Sequence, residues 1–146
     1  MRKRAGVGGR SSRRTGRRSA SVFVLGALGL AAVFSRVVVS GDSMLPTLEP
    51  GDRLLVLRHV HRRGLRLGDL VTVRDPRGDG PRRVLVKRVG DAEGESVEVA
   101  GDNPDASTDS RSFGRVPLAL VTGKVLYRYA PAERAGVCLL YTSRCV

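Results

Sequence analysis

The stretch Arg83-Val84-Leu85-Val86-Lys87-Arg88-Val89 reads as a β-strand with a lysine inside its apolar run. Alternate side chains of a strand share a face, so Leu85, Lys87 and Val89 point one way and Val84, Val86 and Arg88 the other. Lys87 therefore sits between two aliphatic neighbours, where a surface lysine would alternate with polar ones. Apolar surroundings strip water from the ammonium and lower its pKa. A lysine that is neutral near working pH can take a proton, so this pattern marks Lys87 as a candidate general base.

Outward from this strand the same texture recurs. Val37-Val38-Val39, Arg53-Leu54-Leu55-Val56-Leu57, Asp69-Leu70-Val71-Thr72-Val73, Ser96-Val97-Glu98-Val99 and Gly123-Lys124-Val125-Leu126-Tyr127-Arg128 are short β-branched runs separated by Gly, Pro and Asp. Asp75-Pro76-Arg77-Gly78-Asp79-Gly80-Pro81 is a loop. Many short strands with turn residues between them predict an all-β domain, and a chain of 146 residues has room for one modest core.

A second stretch, Ser40-Gly41-Asp42-Ser43-Met44-Leu45-Pro46-Thr47-Leu48, follows the first β run. Pro46 fixes a turn that exposes Ser43 at a strand end, although a serine in such a turn also caps its own backbone. A serine hydroxyl attacks only when a base removes its proton. The two histidines, His59 and His61, both lie in the basic stretch Arg58–Arg63, which makes a Ser-His-Asp triad a poor fit. Cys138 and Cys145 have no His or Cys neighbours at zinc-ligand spacing, so neither a metal nor another cofactor is expected. In an oxidising compartment the two thiols are able to pair across a small loop, but two incidental thiols in a C-terminal tail are the favoured reading.

Three blocks in order resemble the type I signal peptidases: Ser40–Leu48 continuing through Gly51-Asp52-Arg53-Leu54-Leu55-Val56, then Val86-Lys87-Arg88-Val89, then Gly101-Asp102-Asn103-Pro104-Asp105-Ala106-Ser107-Thr108-Asp109-Ser110-Arg111-Ser112-Phe113-Gly114. They span roughly residues 37–128. The resemblance implies the small signal-peptidase-like β-domain, shared with the proteases of SOS-type repressors, behind one N-terminal transmembrane helix. It implies Ser43 as nucleophile, Lys87 as base, and Ser107 as the hydroxyl that orients the lysine amine. Asp102, Asp109 and Arg111 match positions that form salt bridges near the site. A free carboxylate beside Lys87 would hold it protonated, so these acids should be engaged by arginines such as Arg111. The Ser43 backbone N–H would donate in the oxyanion hole. Where some family members place a second hydroxyl donor, this chain has Gly41.

The net charge of +12 is uneven. Arg2, Lys3, Arg4, Arg10, Arg13, Arg14, Arg17 and Arg18 precede the first acid, Asp42. Such a tail is compatible with nucleic acid, but its position favours another reading. It runs straight into Ser19–Ser35, uncharged and closed by Arg36, roughly 25 Å as a helix. Snorkelling of Arg18 and Arg36 would complete a bilayer span. The expected layout is a basic cytoplasmic tail (1–18), a transmembrane anchor (19–36), a peptidase domain (37–130) and a C-terminal tail (131–146). A cleaved secretory signal is the rival reading of residues 1–36, and both export the catalytic domain. No DNA-reading domain fits before the serine, so no nucleic-acid partner is expected.

The expected protein is thus a single-pass plasma-membrane serine endopeptidase. It would act on pre-proteins bearing small residues at the cleavage point, with the lipid bilayer as its other partner. Its compactness also resembles maturation proteases of nickel-type superoxide dismutase, and mitochondrial inner-membrane peptidases. An inactive binding protein with a basic tail is the alternative from another class.

Overall fold

The computed structural model describes residues 32–78 and 83–137. The basic tail, most of the apolar segment and both cysteines lie outside these residues. Eight strands form one antiparallel sheet: β1 (Phe34–Val38), β2 (Arg53–Arg58), β3 (Leu70–Arg74), β4 (Val84–Glu93), β5 (Ser96–Ala100), β6 (Val116–Pro117), β7 (Val121–Ala130) and β8 (Gly136–Val137). The order is β1-β2-β7-β3-β4-β5-β6, with β8 on β7. A single helical turn, α1 (Ser110–Phe113), joins β5 to β6. Among the described residues no helix is long and apolar enough to cross a membrane.

The central strand β3 explains the shape. Leu70 enters a cluster with Val39, Met44, Leu48, Leu54, Val56 and Val125. Its next residues, Val71 and Val73, enter a second cluster with Val89, Val97, Val99 and Val116. One sheet buried on both faces, with only a four-residue α-helix beside it among the described residues, must curl over itself. The first cluster lies under the Ser43 turn, because Met44 and Leu48 are its plugs, at 1% and 0% exposure.

The folded domain exceeds the predicted limits at both ends. Phe34, Ser35 and Arg36 pair with Leu57, Val56 and Leu55, so the last part of the predicted anchor is strand. Beyond Ala130, a 3-10 turn (Ala132–Arg134) and β8 continue the domain to Val137. Charge fastens this end: Arg134 Nη2 meets Asp52 Oδ1 at 2.6 Å and Arg128 Nη1 meets Asp52 Oδ2 at 3.2 Å. Asp52 is fully buried, accepts the Glu49 N–H at 2.9 Å, and Glu49 itself pairs with Arg134.

Candidate active site

Lys87 lies in β4 directly opposite Val71 of β3 and is only 2% exposed. Burial pushes its pKa below the ordinary lysine value; the Asp109 carboxylate works against this, and Arg111, Arg83 and Arg77 add to it. Its Nζ donates to Ser107 Oγ at 2.8 Å, and Ser107 Oγ donates its own proton to Asp109 Oδ2 at 2.6 Å. The serine therefore offers the amine a lone pair, not a proton.

Asp109 is the hub. It is fully buried at the N-terminus of α1. Besides Ser107 it accepts from Gly101 N at 2.8 Å and from Arg111 N, Nε and Nη2 at 3.2, 2.9 and 2.6 Å. The Arg111 guanidinium, ahead of its other donors, holds the Asp109 carboxyl well below the usual carboxylate range despite burial. Asp102 does not share Arg111. Burial pushes its carboxyl up, but Arg88 bonds it through Nε at 2.7 Å and Nη2 at 2.5 Å and leaves it lowered. Arg88 also reaches Gly68 O at 2.7 Å and Thr47 Oγ1 at 3.5 Å. The arginine beside Lys87, which points to the opposite face, thus ties the third block to the turn that carries Ser43.

Ser43 is half-buried in the turn that follows β1. Asn103 N donates to the Ser43 carbonyl at 3.0 Å and Asn103 Nδ2 to the Asp42 carbonyl at 3.2 Å. Gly101 sits where the two serines converge: a Cβ there would lie 2.2 Å from Ser107 Oγ and 2.5 Å from the Ser43 carbonyl oxygen. Only glycine fits between them. The fold thus gathers Ser43, Lys87, Ser107, Asp109 and Arg111 around Gly101, with Asp102 braced from behind. Asn103 and Arg88 are the supporting residues that sequence reasoning did not assign. His59 and His61 are both exposed, on the connection after β2.

A groove runs along this site between Val37–Gly41, Ser43 and Met44 on one side and Arg83–Val86 on the other. Among the described residues β1 pairs only with β2, and Val84–Lys87 only with β3, because β5 joins β4 from Arg88 onward. Each wall is therefore a strand edge with main-chain groups open to a further strand. No cluster of three or more His, Cys, Asp or Glu side chains suited to a metal occurs among the described residues.

The chain matches the family model described as signal peptidase, peptidase S26, over residues 12–103. It is 40% identical to the mitochondrial ATP-independent inner membrane protease subunit 1a of Arabidopsis thaliana, over 71% of this chain and 75% of that protein. It is 35% identical to the mitochondrial inner membrane protease subunit 1 of Xenopus tropicalis, over 68% and 71%. Against the probable signal peptidase I-1 of a Synechocystis strain the identity is 28%, over 67% and 72%. On these matches the chain belongs to the S26 family of signal peptidases, as a serine-type peptidase.

Proposed function

We propose that this protein is a membrane-anchored endopeptidase that removes N-terminal signal or leader segments from exported proteins, with Ser43 as nucleophile and Lys87 as general base. The observation that carries the reading is Lys87 itself: buried, lowered in pKa by desolvation, and hydrogen-bonded at 2.8 Å to a hydroxyl that cannot protonate it. With one N–H directed at Ser107, the amine lone pair is free to face Ser43. The substrate adds as an extended strand in the groove, bonded to the edges of β1 and β4. Ser43 Oγ attacks the scissile carbonyl carbon as Lys87 Nζ takes its proton. The developing oxyanion is stabilised by the Ser43 N–H. Lys87 then hands the proton to the leaving amine, and the acyl-ester forms. Water, deprotonated by Lys87, attacks the ester; the collapse releases the new carboxylate and returns the proton to Ser43.

Two features support the membrane part: the uncharged run 19–35 after eight basic residues, and relatives named as inner membrane proteases. The orientation is N-terminus inside, catalytic domain outside. The full chain in detergent should cleave a peptide with an Ala-Xaa-Ala leader end, and Ser43→Ala should abolish cleavage. Full activity in Ser43→Ala would defeat the chemistry. Release of the protein from membranes by alkaline carbonate, with an N-terminus beginning near Ala32, would replace the anchor by a cleaved signal.

A further inference from the structure

The groove walls are aliphatic apart from Ser40, Ser43 and one charged side chain, Arg83. The Asp75 N–H donates to the Arg83 carbonyl at 2.9 Å, which continues the β3–β4 ladder one residue beyond Val84. Arg83 is therefore in strand register, and Arg83, Leu85 and Lys87 share one face. Two pleat repeats separate Arg83 from Lys87, about 13 Å along the strand.

The guanidinium of Arg83 is exposed and has no ion-pair partner among the described residues. The carboxylate nearest in the ladder, that of Asp75, is already held by Arg77 through Nε at 2.9 Å and Nη2 at 2.6 Å. A cation at the lip of the groove, the one charged side chain among its described lining residues, favours an acidic side chain in whatever strand lies there.

We propose that Arg83 is a specificity-determining residue that receives an acidic side chain of the substrate about four residues from the scissile bond. The spacing follows from the geometry: a substrate strand alongside β4 advances at the same rise per residue, so the residue level with Arg83 is four removed from the peptide level with Lys87. This rests on the groove and dyad assigned above, and adds to them a substrate class, leaders or mature ends with Asp or Glu at that distance.

The test is a set of fluorogenic peptides with an Ala-Xaa-Ala leader end, neutral elsewhere, in which one Glu is walked through both flanks. The enzyme is the full chain in neutral detergent at low salt, measured on the alkaline plateau so that the protonation of Lys87 does not vary. The expected result is a single maximum in kcat/KM four or five residues from the cut, on one flank, of about fivefold, as one screened ion pair allows. Arg83→Glu should turn that maximum into a minimum and favour Lys at the same position, each rate being taken relative to the neutral peptide cleaved by the same variant. Added salt should flatten the maximum. A scan that is flat, or equally raised by Glu everywhere, overturns the role of Arg83 while leaving the peptidase intact. A maximum that persists in Arg83→Glu does the same. Failure to cleave any peptide in the set removes the dyad reading and this proposal together.

Discussion

Lys87 and Asp109 are joined through the Ser107 hydroxyl rather than as an ion pair: Nζ to Oγ is 2.8 Å and Oγ to Oδ2 is 2.6 Å. A carboxylate in direct contact would keep the lysine charged. Interposing a hydroxyl, and clamping the carboxylate with Arg111, keeps the orientation while weakening that pull.

The shape of Lys87 is separable from its basicity. Lys87→Met keeps a chain of similar volume and removes the buried amine, so thermal stability should hold or rise. Cleavage should fall at least about a thousandfold. Lys87→Arg should be equally inactive, since a guanidinium stays protonated. Turnover within tenfold of wild type in Lys87→Met would exclude the lysine base.

The pH–rate profile follows from the same amine. Because burial lowers the Lys87 pKa, kcat/KM should rise with pH and level off below the pH at which a free lysine, with its pKa near 10.5, would titrate. Arg111 lowers the Lys87 pKa, so Arg111→Ala should raise it and move the rise to more alkaline pH. Both curves are measurable with one fluorogenic peptide. A displacement toward acid would mean that the sign is wrong.

Gly101→Ala should be severe. Its methyl would lie 2.2 Å from Ser107 Oγ and 2.5 Å from the Ser43 carbonyl, parting the two serines. A loss of about 1–3 kcal/mol in stability, typical of overpacking, should accompany at least a hundredfold loss of kcat with little change in KM. Denaturant titration and steady-state kinetics read the two effects separately.

Asp52→Ala should loosen the C-terminal end. It removes the carboxylate shared by Arg128 and Arg134, but Arg134 keeps Glu49 and Arg128 keeps the Thr47 carbonyl, so the expected cost is about 2 kcal/mol, below that of a fully buried pair. Hydrogen exchange should quicken first in residues 131–137. Unchanged exchange there would show that β8 holds this segment without the ion pairs.

The strands were legible because each short run is β-branched and bounded by turn residues, and Lys87 because its strand neighbours are aliphatic. The start of β1 was not: Val33, Phe34, Val37 and Val38 continue the apolar run of the preceding segment, and hydropathy alone does not divide a helix from a strand. Nor was the pairing of charges. Asp102 and Asp109 lie seven residues apart in one block, yet Asp102 takes Arg88 and Asp109 takes Arg111. That choice depends on where β4 and β5 align, which is a property of the folded sheet. Asp52 looked like a turn residue and Asp69 like the start of a strand run, and both proved buried beneath basic partners from β7 and its continuation. Arg83 reads as the start of the fourth strand, and the Asp75 bond to its carbonyl carries the ladder to that residue, one beyond Val84.

Strand pairing that begins at Phe34 makes the chain a measuring stick. Nine residues separate Phe34 from Ser43, a tether of roughly 30 Å at full stretch, and part of it is fixed in β1. Under the anchor and nucleophile proposed above, Ser43 on so short a leash would reach only bonds held close to the lipid surface. Distance from the lipid surface, as well as sequence, would then decide which bonds are cut.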